Sequence, residues 1–126
     1  MLAFVIFVGA GVGGLARYAI GVWTQAAIGP EFPWGTLLVN VTGSFLLTLI
    51  YALLEGTATS PEWRALLGIG FCGGYTTFST FSYETTRLLQ DGEWRHASLY
   101  IVGSVVLSLA AALLGFRLGS TILQRS

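Results

Sequence analysis

Four long apolar segments divide this chain, and they constrain its fold more than any other feature of the sequence. They cover about residues 2–28, 36–54, 63–89 and 94–123. Each is close to or longer than the roughly 20 residues that a membrane-spanning helix needs. Short connections rich in turn-forming residues separate them, at residues 29–33, 55–62 and 90–93. The sequence therefore predicts a single all-α membrane domain over residues 1–126, with four transmembrane helices joined by short loops.

The composition agrees with a membrane protein and argues against several functions. Only 10% of the residues are charged and the mean hydropathy is +0.74, whereas soluble domains carry about 25% charged residues. The formal net charge is zero and lysine is absent, so a nucleic-acid partner has no electrostatic support. Cys72 and His96, the single cysteine and the single histidine, fall in different predicted settings. No metal-ligand spacing or nucleophile motif accompanies them, so the sequence does not predict an enzyme.

The third segment contains a polar run that is unusual for a membrane helix. From Gly70 to Glu84 it combines paired glycines, a series of hydroxyl side chains and a carboxylate. Lipid offers no water to satisfy such groups, and irregular backbone is tolerated there only inside protein or beside a water-filled cavity. We therefore predict that this helix is broken near residues 73–77, and that the break forms a permeation site enclosed by the other segments.

Polar residues recur at helical spacing in two other segments. The second segment places Thr36, Asn40, Ser44 (or Gly43), Thr48 and Tyr51 about four residues apart, and the fourth segment places Tyr100, Ser104 and Ser108 four apart. Such spacing predicts one stripe along each helix. Interhelical hydrogen bonding is the alternative for these residues. We favour a pore-lining role, with Asn40 as the key member because its amide offers two N–H donors.

Aromatic rings accompany these donors in the third segment. Phe78 and Phe81 are three residues apart and share a helix face, which Glu84 continues. The rim of an aromatic ring carries partial positive charge, so rings presented edge-on can contact an anion. Neutral donors and ring edges suit a small anion that must shed its water without becoming trapped. A cation site would instead need carbonyls or several carboxylates, and Glu84 is the only carboxylate in this region.

The first segment combines a packing motif with a charge. Gly9-x-x-x-Gly13 is a small-residue face of the kind that packs membrane helices together. Arg17 lies near the middle of the segment, where an arginine costs about 2.5–3.5 kcal/mol on insertion scales. It must therefore face protein, water or the interface. Two interpretations stay open for Arg17: it extends to the lipid headgroups, or it attracts anions toward a vestibule.

Arginine placement gives almost no preferred orientation in the membrane. With four spans, three arginines lie toward the side of the two termini and two lie toward the other side; in order these are Arg64, Arg117 and Arg125, then Arg87 and Arg95. The positive-inside rule needs a larger bias than this. The sequence thus predicts a chain that inserts either way up, and two opposite copies could pair as an antiparallel dimer.

Three stretches of the sequence resemble the small bacterial fluoride channels of the Fluc (CrcB) family. They are residues 13–18 (GGLARY), residues 33–40 (PWGTLLVN) and, above all, the run from Gly70 to Glu84. The resemblance covers essentially the full length. It implies a dual-topology homodimer of four-helix subunits, with the third helix broken and two fluoride pores per dimer. It also implies a structural Na⁺ ion at the dimer interface, bound by the backbone carbonyls of Gly73 and Thr76.

The resemblance further assigns roles to residues along the ion path. The expected fluoride-pore residues are Asn40, Phe78, Phe81, Ser79, Thr80, Tyr100, Ser104 and Ser108. Arg17 and Glu84 are expected at a vestibule or gate. The resulting expectation is a multi-pass protein of the cell (inner or plasma) membrane, a passive and fluoride-selective channel through which cytoplasmic fluoride leaves down its gradient, conferring fluoride resistance.

Two other functions compete with this expectation. A small proton-coupled exporter of the four-helix dual-topology type would need a buried carboxylate that exchanges protons for substrate, and Glu84 is the only candidate. A non-transporting assembly subunit built on the glycine faces would pass no ions at all. Ion flux from the purified protein, and its dependence on a proton gradient, separates these three functions.

Overall fold

The computed structural model describes all 126 residues, which form helices joined by short loops with no β-strand. In chain order the helices are α1 (Leu2–Ile28), α2 (Trp34–Leu54), α3 (Pro61–Arg64), a π-helical stretch (Ala65–Cys72), α4 (Gly73–Tyr75), α5 (Phe78–Gln90) and α6 (Trp94–Arg125). The α3 helix, the π-helical stretch and α4 follow one another without a gap. Only Thr76 and Thr77 separate them from α5.

Three helices are long and apolar enough to cross a membrane. These are α1, α2 and α6, whose most apolar windows have mean hydropathies of 1.7, 2.0 and 2.3. The residues between Pro61 and Gln90 are different, because the interruption at Thr76 and Thr77 leaves no single helix of spanning length there. The all-helical fold and the three apolar helices agree with the prediction of a multi-pass membrane protein.

Helices α2 and α6 pack along most of their length, with two glycines of α6 at the contact. A Cβ atom on Gly119 would lie 2.6 Å from Ala52 Cβ and 3.1 Å from the Leu49 carbonyl oxygen, and one on Gly115 would lie 2.5 Å from Thr48 Oγ1. Larger residues would therefore force these helices apart. The Gly115-x-x-x-Gly119 pattern thus brings the α6 backbone against α2, as small residues do in membrane helices generally.

Helix α1 packs against the π-helical stretch and α4 through glycines on both sides. A Cβ on Gly9 would lie 2.5 Å from the Leu66 carbonyl oxygen, and one on Gly70 would lie 3.0 Å from the Gly9 Cα. Further along the same contact, a Cβ on Gly13 would overlap the Phe71 carbonyl and one on Gly74 would overlap the Ala10 carbonyl. This backbone contact supports the segment that leads into the interruption.

The π-helical stretch was not among the sequence predictions. It runs from Ala65 to Cys72 and contains Gly68, on which the ring of Tyr51 in α2 packs; a Cβ there would lie 2.4–2.8 Å from that ring and its hydroxyl, overlapping them. π-Helical turns are rare and occur often at functional sites. Here the stretch leads through α4 to the interruption at Thr76.

Candidate functional site

The interruption is built from two threonines with extended backbone. Thr76 has φ −86° and ψ 158°, and Thr77 has φ −154° and ψ 120°. The Thr76 amide and hydroxyl both donate to the Cys72 carbonyl, across 3.0 and 2.9 Å. Thr77 is the N-cap of α5, since its Oγ1 accepts a hydrogen bond of 3.1 Å from the Thr80 amide. The helix therefore ends and restarts through the threonine side chains themselves.

Asn40 of α2 contacts the interruption directly. Its Oδ1 accepts a 2.8 Å hydrogen bond from the Thr77 amide, and its Nδ2 donates a 3.0 Å hydrogen bond to the Thr77 carbonyl. Asparagine carries two N–H groups on Nδ2, and Thr77 uses only one of them. The Asn40 amide is thus held in place by the main chain of the interruption and keeps a second N–H donor.

Several carbonyls at the interruption lose their usual helical partners, and those of Gly73 and Thr76 are among them. In a continuous helix each carbonyl accepts from the amide four residues later. The Thr77 amide would reach the Gly73 carbonyl, but it donates to Asn40 instead. The Thr80 amide would reach the Thr76 carbonyl, but it donates to Thr77 Oγ1. The carbonyls of Gly73 and Thr76 are therefore acceptors without an i+4 amide.

A row of three aromatic rings, those of Phe78, Phe81 and Tyr100, leads away from the interruption. The ring centroids of Phe78 and Phe81 are 5.5 Å apart, and those of Phe81 and Tyr100 are 5.1 Å apart. Burial increases along this aromatic row: Phe78 is 78% exposed, whereas Tyr100 is fully buried. The first turns of α5 and α6 thus bring together three of the aromatic residues that the sequence singled out.

Tyr100 also reaches the carboxylate of the third span. Its hydroxyl donates a 3.1 Å hydrogen bond to Glu84 Oε1. Glu84 in turn lines a cavity of about 550 Å³ between α1, the loop before α2, and α5. Arg17, Thr36 and Thr80 line the same cavity. The cavity therefore collects the charged and hydroxyl residues that the sequence placed on three different helices.

Arg17 faces this cavity with part of its guanidinium buried. Its Nε has no hydrogen-bond partner in the protein. The sequence left two interpretations open for Arg17, extension to the headgroups and a place in a vestibule, and a position beside the cavity is the geometry that the vestibule interpretation requires. A buried guanidinium N–H without a protein partner is a donor that an anion or water in the cavity can use.

The remaining predicted site residues lie at different depths. The Ser104 side chain is buried and its hydroxyl has no protein partner, whereas Ser108 is half-buried. Ser79 is exposed, and its hydroxyl lies 3.2 Å from Thr77 Oγ1 beside the interruption. Gly73 is also exposed, with no atom near the position that a Cβ would take.

The members of the predicted polar stripe of α2 lie in different places. Gly43, the alternative to Ser44, lies against the interruption, because a Cβ there would overlap the Thr76 methyl group. Thr36 and Asn40 face the cavity and the interruption. Thr48 instead donates to carbonyls of its own helix, those of Ser44 and Phe45, and lies against α6. Tyr51 packs on Gly68. The structure thus brings Thr36 and Asn40 of the predicted stripe to the candidate site, whereas Thr48 and Tyr51 pack elsewhere.

Sequence reasoning missed Phe32, a residue of the loop before α2. Its ring centroid lies 5.5 Å from that of Tyr100 in an edge-to-face contact and 4.7 Å from that of Trp34. It also contacts the ring of His96, whose Nδ1 lies 3.4 Å from the Glu93 carboxylate. Phe32 therefore packs on Tyr100 at the end of the aromatic row, and a single phenylalanine in a short loop gives no sequence signal for this contact.

The three apolar helices define a multi-pass membrane protein, and the interruption between α4 and α5 gives it a candidate site of hydroxyl, amide and aromatic groups. The family model described as "CrcB-like protein, Camphor Resistance (CrcB)" matches residues 4–116. The chain belongs to the CrcB family.

Relatives support this membership over nearly the whole chain. The chain is 50% identical over 118 residues to the "Fluoride-specific ion channel FluC" of Thermus thermophilus, covering 93% of this chain and 92% of the relative. It is 47% identical over 116 residues to the protein of the same name from Shewanella amazonensis, covering 90% and 94%. The corresponding protein of Nitrobacter winogradskyi is 45% identical over 118 residues, covering 91% and 94%. These relatives are named as ion channels and not as enzymes.

Proposed function

We propose that this protein is a fluoride-selective channel, through which cytoplasmic fluoride leaves the cell passively. The observation that carries the proposal is its identity of 50% to a relative named as a fluoride-specific ion channel, with more than nine tenths of each chain covered. The geometry of the site supplies the mechanism. Fluoride that enters as HF in acid surroundings ionises inside the cell, so an anion leak lowers the trapped concentration.

Neutral hydrogen-bond donors carry the anion in this mechanism. The second N–H of Asn40 and the buried hydroxyl of Ser104 have no protein acceptor. Such donors replace the water that fluoride sheds, and they hold it more weakly than a fixed positive charge would. Weak and repeated binding is what conduction needs, because the ion must enter each position and also leave it.

Ring edges complete the path between these donors. Phe78, Phe81 and Tyr100 form a row with centroids 5.1–5.5 Å apart. The C–H rims of these rings carry partial positive charge. We expect an anion to move along these rims, with Ser79, Thr80 and Ser108 as further hydroxyl donors near the path. A narrow spacing of rims and donors would reject chloride because it is larger than fluoride.

The cavity beside Arg17 serves as the entrance. Its volume of about 550 Å³ is large enough for a hydrated anion, and the guanidinium attracts negative charge into it. Glu84 also lines this cavity and accepts a hydrogen bond from the Tyr100 hydroxyl. We therefore assign Arg17 to anion capture and Glu84 to the positioning of the Tyr100 ring at the inner end of the vestibule.

A second copy of the chain is expected to cover the interruption. Gly73, Phe78 and Ser79 are exposed on the single chain. Lipid cannot satisfy irregular backbone and free carbonyls, so this face must be covered by protein or water. The small arginine bias agrees with two copies in opposite orientations. We therefore propose an antiparallel homodimer of four-span subunits with two pores, in the inner membrane.

The carbonyls of Gly73 and Thr76 fit a Na⁺ ion at that dimer interface. Each lacks the amide that a continuous helix would supply, as described above. Carbonyl oxygens are the hard ligands that sodium prefers, and no carboxylate is needed. The chain contains no group of three or more histidine, cysteine, aspartate or glutamate side chains that could hold a metal ion. A bound cation would neutralise the carbonyl dipoles and lock the two interruptions together.

Efflux from liposomes tests the proposal. Purified protein is reconstituted with fluoride or chloride inside, and release is followed with ion-selective electrodes. Fast fluoride release without chloride release supports the channel. Fluoride release that follows an imposed proton gradient, and is lost in Glu84→Gln, identifies a proton-coupled exporter instead. If dimeric protein in the presence of sodium releases neither fluoride nor chloride, both transport functions are wrong.

A further inference from the structure

One side chain holds both hydrogen-bonding groups of the Thr77 main chain. Thr77 N–H donates to Asn40 Oδ1 and Asn40 Nδ2 donates to the Thr77 carbonyl, across 2.8 and 3.0 Å. A peptide N–H can only donate and a peptide carbonyl can only accept, so these partners fix the orientation of the amide. The side chain of Asn40 therefore has one defined position against the third span.

This two-point contact depends on the conformation of Thr77. In extended backbone the N–H and C=O of one residue point to the same side, as they do in hydrogen-bonded pairs of an antiparallel sheet. In a helix they point in opposite directions along the axis. Thr77 is extended, with φ −154° and ψ 120°. Asn40 can consequently bind both groups in the interrupted form of the span, but only one of them in a continuous helix.

Other contacts of the interruption discriminate less between these two forms. The Thr76 hydroxyl donates to the Cys72 carbonyl, a bond to the residue four positions back that threonines also make inside continuous helices. Thr42 of α2 donates to the Leu38 carbonyl of its own helix, and near the interruption it contacts only the hydroxyl of Tyr75, across 2.8 Å, and no main-chain group there. Asn40 is the one α2 side chain that hydrogen-bonds the backbone of the interruption.

We propose that Asn40 is a positioning residue that selects the interrupted form of the third span and thereby keeps the Gly73 and Thr76 carbonyls free for a cation. The Gly73 carbonyl is free because the Thr77 amide donates to Asn40. The same contact aims the second N–H of Asn40 away from Thr77. The cation site and the donor offered to the anion thus share one side chain. The cation half of this inference rests on the proposed function, and the conformational half does not.

Isotope labelling allows NMR signals of both Asn40 and Thr77 to be assigned without ambiguity. Asn40 is the only asparagine in the chain, so labelling with [¹⁵N]asparagine gives one side-chain amide signal. Labelled threonine gives two Thr–Thr pairs, residues 76–77 and 85–86, and the second lies within helix α5 as an internal reference. For the wild-type protein in bilayers we expect the ¹³Cα chemical shift of Thr77 to have the value typical of extended backbone. We also expect one Asn40 side-chain proton to exchange slowly and the other to exchange fast.

Two matched variants then separate the roles. Asn40→Leu keeps a side chain of similar size and removes both hydrogen bonds, whereas Thr42→Val removes a single bond between α2 and α4. We expect the Thr77 shift to move toward the helical value in Asn40→Leu only. We also expect the sodium concentration that gives half of the thermal stabilisation to rise by about tenfold or more in that variant, because residues that orient ligands typically contribute this much to ion affinity.

Each outcome decides a different part of the proposal. An extended Thr77 in Asn40→Leu overturns the positioning role, even if the wild-type protein conducts fluoride. A helical Thr77 with an unchanged sodium midpoint overturns the link to the cation. If Thr77 loses its extended conformation in Asn40→Leu and the wild-type protein conducts no fluoride, the positioning role is supported and the proposed function is wrong. If Asn40→Leu does not fold, equal exchange of both Asn40 side-chain protons in the wild-type protein overturns the inference.

Discussion

The Tyr100 hydroxyl donates to Glu84 Oε1 across 3.1 Å and so joins α6 to α5. Tyr100 is fully buried, and its ring contacts the rings of Phe81 and Phe32. Glu84 is half-buried and lines the cavity that Arg17 also lines. The hydrogen bond therefore connects the two parts of the candidate site, the open cavity and the buried aromatic row.

Tyr100→Phe tests this connection. It keeps the ring and removes only the donor to Glu84, so we expect the free energy of unfolding to fall by about 1–3 kcal/mol. We also expect fluoride efflux to fall by about tenfold, since the ring loses its orientation at the end of the vestibule. Tyr83→Phe is the matched control, because Tyr83 is 66% exposed and makes no hydrogen bond through its hydroxyl. Equal thermal midpoints and efflux for the two variants would contradict the role given to this hydrogen bond.

Arg17→Gln tests anion capture in the cavity. The substitution keeps a polar side chain and removes the positive charge, so we expect fluoride efflux to fall by about tenfold at low ionic strength. At high concentrations of an impermeant salt the difference from the wild-type protein should shrink, because the attraction that acts on an anion approaching through water is screened over about 3 Å at 1 M. Arg117→Gln, at an exposed position on α6, should leave efflux unchanged. A loss that is equally large at all salt concentrations argues that Arg17 has a structural role instead.

Helical spacing predicted which parts of the chain form spans, but only partly which residues share the site. Thr48 follows Thr36 at intervals of four residues, yet at about 100° per residue it lies about 120° around the helix from it. This drift explains why Thr36 and Asn40 reach the cavity and the interruption while Thr48 lies against α6. Spacing of four residues identifies neighbours on a helix, and over three turns it no longer identifies one face.

Backbone features of the site could not be predicted from side chains. The glycines and threonines of the third segment predicted an interruption, but nothing in the sequence indicates that the Thr77 main chain pairs with Asn40. The π-helical stretch likewise has no residue pattern of its own. The contact of Phe32 with Tyr100 joins a loop to a distant helix, and such pairs depend on how the helices pack.

Phe81→Leu tests the aromatic row. Leucine retains apolar volume between Phe78 and Tyr100 but has no ring edge to offer an anion. We expect fluoride efflux to fall by about tenfold, which corresponds to the loss of about 1.4 kcal/mol of favourable interaction along the path. Phe116→Leu, at a position of α6 that is 49% exposed, is the control and should conduct normally. Wild-type efflux from Phe81→Leu would show that ring edges are not part of the path.

Asn40→Asp tests the amide as a donor. The carboxylate can still accept from the Thr77 amide, but it has no N–H for the Thr77 carbonyl or for a permeating anion. It also places negative charge on the path, so we expect fluoride efflux to fall by about two orders of magnitude, equivalent to about 2.7 kcal/mol. The measurement is efflux from liposomes at matched protein density. Normal efflux from this variant would remove Asn40 from the path.

Gly13→Ala tests the backbone contact between α1 and the helix before the interruption. A Cβ at Gly13 would overlap the Phe71 carbonyl, whereas a Cβ at Gly11 would meet nothing within 4 Å. We expect Gly13→Ala to lower the free energy of unfolding by about 1–3 kcal/mol, because backbone atoms cannot move aside as a flexible side chain can. Gly11→Ala should be neutral or stabilise the helix by up to about 1 kcal/mol. Thermal unfolding in detergent compares the two variants, and equal midpoints would mean that α1 and the π-helical stretch can separate without cost.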